Sequence, residues 1–193
     1  RSSVVKHLAF SADGRKLLTA TDDVNLWDVA TGTKRPIKTT PRPFVQRIRF
    51  SPDGETFVTA SAGGRAGRTK IWDAETGELR AVFPGHEGYV ADAAFSADGR
   101  LLVTASWDQK AIIWDVKTQG VKVVLTGHKK RVNQAGFSPD GRYVLTASAD
   151  KKALLWDAKT GRVLGEFDGH KGEVRQASFS RDGGTVVTAS RDN

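Results

Sequence analysis

The sequence contains no cysteine and no long apolar segment, and each absence excludes a class of protein. Without cysteine there is no disulfide framework, no thiolate metal site and no cysteine nucleophile. The longest apolar runs, such as Ala111 to Trp114, are far shorter than the roughly 18 residues of a membrane span. We therefore expect no membrane segment. The lack of cysteine leaves the compartment open, with a preference for the cytoplasm.

The charge balance is basic, with 30 Lys and Arg residues against 22 Asp and Glu residues and a formal net charge of +8. A basic surface attracts acidic partners such as nucleic acid, anionic lipid or acidic protein surfaces. An ordinary solvated surface rich in Lys and Arg would give the same balance, so the charge alone selects no function.

Three short strings recur along the chain with one common period, which indicates a repeat architecture. Phe-Ser-x-Asp-Gly begins at Phe10, Phe50, Phe95, Phe137 and Phe179. Trp-Asp begins at Trp27, Trp72, Trp114 and Trp156. Gly-His begins at Gly85, Gly127 and Gly169. The strings cover the whole chain, so the sequence predicts one array over residues 1–193 without a linker.

The third repeat shows what one unit contains. Asp98-Gly99 is a hairpin signal between two stretches rich in apolar residues, because glycine accepts a positive φ. Two further apolar stretches follow, separated by polar loops, so each unit is predicted to be a four-stranded antiparallel meander. The predicted units span residues 1–39, 40–84, 85–126 and 127–168, with a partial unit at 169–193.

The order and spacing of these strings resemble the WD-repeat β-propeller family. Gly-His, Phe-Ser-x-Asp-Gly, Thr-Ala-Ser-x-Asp and Trp-Asp follow one another as they do in that family. The resemblance implies an all-β propeller of four-stranded blades stacked face to face, here an incomplete ring of four repeats and part of a fifth. The chain opens with Arg1 rather than Met, and we expect a fragment of a longer protein. A partial ring that self-associates is the alternative.

Each of the later repeats offers a histidine, a serine and an aspartate, which invites a hydrolase interpretation. In the family that the chain resembles, these side chains form a buried hydrogen-bond relay from Asp to His to Ser or Thr to the Trp indole. Because an active site needs one constellation and this chain has several, we expect no catalysis, no metal and no cofactor. The relay is predicted at His86, Ser106, Asp108, Trp114, His128, Ser148, Asp150, Trp156, His170, Ser190 and Asp192.

The loops divide between two faces. The top face carries the Gly-His loops and the loops with Asp108 and Asp150, and the bottom face carries the Ser-x-Asp-Gly turns. The resemblance places partner contacts beside the central residue of each first strand and before each loop aspartate, and Trp, Tyr and Arg dominate binding hot spots. The predicted partner-binding residues are Phe44, Gln46, Tyr89, Trp107, Arg131, Asn133, Arg175 and Arg191.

The favoured function is a non-catalytic scaffold that binds a protein partner through the top face. If the basic charge of the chain contributes to binding, the partner has an acidic surface. One alternative is the binding of nucleic acid or another polyanion by that face. A second alternative is a targeting or regulatory arm of a larger multidomain signalling enzyme, which is an argument by analogy. A small-molecule ligand is not expected.

Overall fold

A computed structural model describes residues 4–21, 23–39, 44–62 and 68–192. The regular structure in these ranges is entirely β, and the strands form five antiparallel sheets. No helix in the described ranges is long and apolar enough to cross a membrane.

Each sheet joins strands that follow one another in the chain, as in a meander. The first sheet contains β1 (His7–Phe10), β2 (Lys16–Ala20), β3 (Val24–Asp28) and β4 (Lys34–Ile37), and the second contains β5 (Phe44–Phe50), β6 (Thr56–Ala62), β7 (Arg68–Asp73) and β8 (Leu79–Phe83). The third contains β9 (Val90–Phe95), β10 (Leu101–Ser106), β11 (Lys110–Asp115) and β12 (Val121–Thr126). The fourth contains β13 (Val132–Phe137), β14 (Tyr143–Ser148), β15 (Ala153–Asp157) and β16 (Val163–Phe167), and the fifth contains β17 (Val174–Phe179) and β18 (Val186–Ser190).

The Ser-x-Asp-Gly string closes the hairpin between the first two strands of every sheet. In the third sheet, Ser96 Oγ donates to Asp98 Oδ1 at 2.6 Å and accepts the Leu101 N–H at 3.0 Å. Gly99 then adopts a φ of 70°, which costs glycine little because it has no Cβ. The repeat of this string along the sequence therefore repeats one turn geometry, which fixes the register of each hairpin.

Successive sheets pack face to face. At the junction of the third and fourth sheets, Val103, Ile113 and Leu125 pack against Val132 and Trp156, all of them buried. The other three junctions bury the equivalent positions. The innermost strands β1, β5, β9, β13 and β17 also contact one another in turn, so they line the inside of the stack.

The described residues form an open arc rather than a closed ring. Leu8 on the first sheet is 64% exposed, whereas Ala135 at the equivalent position of the fourth sheet is 0% exposed. On the opposite face of the last sheet, Val187 is 63% exposed and its equivalent Leu145 is 0% exposed. The internal faces are thus covered by a neighbour and the two end faces are not. The predicted all-β architecture of four-stranded antiparallel blades is confirmed.

Candidate interaction surface

A relay of hydrogen bonds crosses the third sheet from its top loop to its interior. Asp108 Oδ2 lies 2.8 Å from His86 Nδ1, and His86 Nε2 lies 2.8 Å from Thr104 Oγ1. The Trp114 indole N–H donates to the same threonine oxygen at 2.8 Å. Because an ionised carboxylate can only accept, His86 carries its proton on Nδ1, and the threonine hydroxyl can donate to Nε2.

The same relay recurs in the two later sheets. In the fourth sheet, His128 lies 2.8 Å from Asp150 and 2.7 Å from Thr146, which accepts the Trp156 indole N–H at 2.8 Å. In the fifth, His170 lies 2.9 Å from Asp192 and 2.8 Å from Thr188. The first two sheets keep only the Trp–Thr hydrogen bond of the relay. Trp27 donates to Thr19 at 2.8 Å, and Trp72 donates to Thr59 at 2.9 Å.

Threonine, not the predicted serine, occupies the middle of the relay. Thr104 precedes Ser106 by two residues on β10, so both side chains point to one face of the sheet, but the histidine ring reaches the deeper of the two. Ser106 lies at the loop end of the strand, where its hydroxyl accepts the Asp108 N–H at 3.2 Å. The prediction is corrected in the same way for Ser148 and Ser190, whose places are taken by the threonines two residues before them.

Ser148 shows what this serine does instead. Its hydroxyl donates to the Arg131 backbone carbonyl at 2.9 Å and accepts the Asp150 N–H at 3.1 Å. The serine therefore ties the top loop to the start of the inner strand β13, and the threonine anchors the histidine inside the blade.

The charges of the relay follow from its burial and its hydrogen bonds. Burial raises the pKa of Asp108, but hydrogen bonds from the His86 ring and from the backbone N–H groups of Glu87 and Lys110 outweigh it and hold the pKa at about 2. Burial also lowers the pKa of His128 by more than Asp150 raises it. Burial raises the pKa of Asp150, but hydrogen bonds from the Lys129 N–H and the His128 ring outweigh it and lower that pKa. The relay of the fourth blade therefore pairs a charged aspartate with a neutral imidazole at neutral pH.

This geometry fits a structural role for the relay, which links the top loop to the interior of the blade, better than a catalytic role. His86 is 4% exposed and Thr104 is 0% exposed, and the threonine hydroxyl is already shared by two partners. No cluster of three or more His, Asp or Glu side chains within the described ranges could hold a metal ion.

A family model described as WD domain, G-beta repeat matches residues 34–73, 77–115, 120–157 and 161–193. The chain belongs to the WD-repeat family. Each of the first three matched units begins with the outer strand of one blade and ends with the third strand of the next, so the sequence repeat is offset from the structural blade by one strand. A search of the curated proteins found no match.

A cavity of about 480 Å³ opens at the top face of the WD repeats, where the inner strands meet the top loops. Five of the eight predicted partner-binding residues line it, namely Gln46, Trp107, Arg131, Asn133 and Arg175. Tyr89 lies beside one of them, with its ring centroid 5.1 Å from that of Trp107.

Besides Tyr89, two of the predicted residues are not among those that line the cavity. Arg191 is exposed on the last top loop, and its backbone N–H donates to the Glu173 carbonyl at 2.9 Å. Phe44 begins β5, but its side chain lies outside the described part of the structure.

Three side chains form an aromatic and guanidinium row at the edge of this cavity. The row consists of Tyr89, Trp107 and Arg131, and Glu173 pairs with Arg131. The Arg131 guanidinium lies 5.4 Å from the Trp107 ring centroid, and its Nη2 bonds both Glu173 carboxylate oxygens, at 3.0 and 2.9 Å. Tyr89 and Trp107 are nevertheless 42% and 48% exposed. Contacts among these side chains thus fix the positions of the rings, while nearly half of each ring's residue remains exposed to solvent.

Some predicted contact residues also hold neighbouring blades together. The Asn133 amide donates to the Val174 carbonyl at 2.8 Å, which joins the fourth blade to the fifth. Arg175 is exposed and lines the cavity, where its positive charge helps to lower the pKa of the Glu173 carboxyl.

The sequence-based prediction missed an ion cluster at the base of this cavity. Arg47 Nε lies 2.9 Å from Asp92 Oδ1, and Arg49 Nη2 lies 3.2 Å from the same oxygen. Asp92 is 0% exposed. Its equivalents in the fourth and fifth blades are the uncharged Gln134 and Gln176. The signal in the sequence was therefore a charged residue at a position where the two later repeats have glutamine. Only the fold shows that its partners lie on the preceding blade.

Proposed function

We propose that this chain is a non-catalytic scaffold that binds a protein partner through its top face. WD repeats generally serve as platforms for protein–protein interaction. The observation that supports the top face here is the row of Tyr89, Trp107 and Arg131, in which two aromatic rings remain nearly half exposed while their positions are fixed.

Such a row has the properties of a binding hot spot. Tyr, Trp and Arg contribute most to the interfaces of known complexes, and a side chain that is already ordered loses little conformational entropy on binding. The ion pair with Glu173 orders Arg131, and Arg131 covers one side of the Trp107 ring. The partner therefore meets a preformed surface.

The charges around the row favour an acidic contact surface on the partner. Glu173 pairs with Arg131 and also interacts with the charge of Arg175, but no ion pair within the described ranges involves Lys129 or Lys130. Unpaired cations on one face attract acidic partners and raise the rate of association, with a dependence on ionic strength.

Quantitative affinity capture tests the proposal with a matched pair of variants. Trp107→Ala removes the centre of the row, whereas Val121→Ala removes a side chain of similar exposure (51%) from the outer strand β12. The amount of each specifically captured protein should fall at least tenfold with Trp107→Ala and should be unchanged with Val121→Ala. Equal capture by both variants would contradict the proposal.

A titration with a mixed-sequence oligonucleotide separates a protein partner from a polyanion. If the basic charge alone defined the ligand, the oligonucleotide would bind with an affinity that falls steeply with salt and is unaffected by Trp107→Ala. We expect weak binding of the oligonucleotide at both low and physiological salt.

A further inference from the structure

A second cavity, of about 440 Å³, opens at the bottom face between the third, fourth and fifth blades. Its floor is made of small residues at equivalent positions of the inner strands, Ala94, Gly136 and Ser178. The partly exposed rings of Phe95, Phe137 and Phe179 form its walls. None of these residues lines the top-face cavity.

Gln134 supplies an unused hydrogen-bond donor inside this cavity. Its Oε1 accepts the Ala177 N–H at 2.9 Å, and since a backbone N–H can only donate, the orientation of the amide is fixed. The side chain is 9% exposed, and no residue in the described part of the chain accepts a hydrogen bond from Nε2. A buried amide nitrogen is normally paired.

The absence of a side chain at Gly136 leaves this nitrogen accessible. A Cβ at Gly136 would lie 3.4 Å from Gln134 Nε2, so the nitrogen borders the space that the glycine leaves empty. Both residues line the cavity, and Nε2 is not among the fully enclosed atoms without a partner. The donor is thus directed at the cavity.

The cavity has one arginine whose charge is not paired with any described residue. Arg49 and Arg181 both line it. Arg49 already bonds Asp92, whereas Arg181 is exposed and forms no ion pair with a residue that the structure describes. A guanidinium group beside aromatic rings favours a ligand that combines apolar surface with a carboxylate.

We propose that the bottom cavity binds an extended segment of a partner protein in which a large apolar side chain is followed by an acidic residue. The apolar side chain packs between the phenylalanine rings, a peptide carbonyl accepts from Gln134 Nε2, and the acidic side chain pairs with Arg181. This site is separate from the top-face surface, so a scaffold of this kind holds two segments at opposite ends of its inner channel.

The blocked dipeptide N-acetyl-Phe-Asp-amide tests this chemistry without knowledge of the partner. Titrated into the ¹⁵N-labelled chain, it should give saturable chemical-shift changes at the Gln134 side-chain amide and the Gly136 backbone amide. N-acetyl-Phe-Asn-amide, without the charge, and N-acetyl-Ala-Asp-amide, without the ring, should each bind at least fivefold more weakly. Equal affinities for the three dipeptides, or no saturable change at these two amides, would refute the proposal.

Two glycine variants locate the site. Gly136→Ala fills the gap beneath Nε2, and Gly165→Ala adds the same methyl group on the outer strand β16, where it meets only Leu155. We expect Gly136→Ala to weaken the dipeptide at least tenfold and Gly165→Ala to leave it unchanged.

Gln134→Glu keeps an acceptor for the Ala177 N–H but replaces the donor by an oxygen, so it should also abolish binding. Thermal unfolding of each variant shows that it is folded. Trp107→Ala should leave dipeptide binding intact, which separates this site from the top-face proposal. Unchanged binding by both Gly136→Ala and Gln134→Glu would place the ligand elsewhere and overturn the assignment.

Discussion

A single hydroxyl group holds the interior of each relay together. Thr104 Oγ1 accepts from the Trp114 indole and faces His86 Nε2, and every atom of that residue is shielded from water. Loss of the hydroxyl would leave two buried polar groups without a partner, and each such group costs about 1–3 kcal/mol.

Replacement of Thr104 by valine should therefore lower the free energy of unfolding by about 3 kcal/mol, because valine keeps the shape and removes the hydroxyl. Ser106→Ala removes only the acceptor of one loop N–H and should cost about 1 kcal/mol. Urea denaturation of the two variants gives both values. If Ser106→Ala lowered the free energy of unfolding more than Thr104→Val, serine rather than threonine would be the central residue of the relay.

The relay also predicts the direction of the pH dependence of stability. The pKa of His128 in the folded chain is below the 6.5 of an unperturbed histidine, so below pH 6.5 the unfolded chain binds a proton that the folded chain resists. Stability should fall as the pH drops from 7 through this window.

A second loss should follow at lower pH. The folded pKa of Asp108 is about 2 against an ordinary 3.8, so the unfolded carboxylate is protonated first, and stability falls further between about pH 5 and pH 2. Urea unfolding at pH 7.5, 6.0, 5.0 and 3.5 measures both effects. The loss of stability between pH 7.5 and pH 6.0 should be smaller in His128→Gln. A stability that rises on acidification would contradict the assigned charges.

At the scale of the blade, polar contacts at the inner edge differ from one junction to the next. The second and third blades are joined by the pair Arg47–Asp92, and the fourth and fifth by the hydrogen bond from the Ala177 N–H to Gln134. The apolar positions of these junctions are nearly the same in every blade. The polar contacts therefore distinguish one junction from another, which favours a defined order of packing.

Asp92→Asn tests the contribution of the buried ion cluster. The change removes a fully buried charge that bonds Arg47 and Arg49, and it should lower the free energy of unfolding by about 2 kcal/mol. The matched control is Glu166→Gln, which breaks the exposed pair with Lys152 and should change the free energy of unfolding far less, because solvent screens that pair. Denaturant titration of both variants gives the comparison, and equal losses would show that the cluster adds no more than a surface pair.

The blades could be predicted from the sequence because their determinants are local. The Asp98-Gly99 turn and the apolar stretches beside it set strand pairing within a few residues of one another. The threonine of the relay could not be chosen in that way, since Thr104 and Ser106 share a strand face and only the depth of His86 decides between them. Arg47 and Asp92 meet across two blades, a contact that no local pattern encodes.

At the scale of the whole molecule, the described residues form an arc of stacked blades with a different surface at each end of its inner channel. The top face presents aromatic rings fixed by an ion pair, and the bottom face presents an aromatic cavity with an unpaired amide and an exposed arginine. Both surfaces are built on strands that the relays and the junctions hold rigid. The relay hydroxyls of the third and fourth blades are buried and already hydrogen-bonded, which fits a platform that offers positions for partners.

Site-specific photo-crosslinking tests the central claim, that the top face is where a protein partner binds. Benzoylphenylalanine is placed at Glu87, an exposed top-loop residue two positions before Tyr89 that leaves Trp107 in place, or, as the matched control, at the exposed Val121 of the outer strand β12. After irradiation in the native cell extract, a discrete protein adduct should form at position 87 and be absent at position 121. An adduct at position 121 alone, or equal adducts at both, would contradict the account.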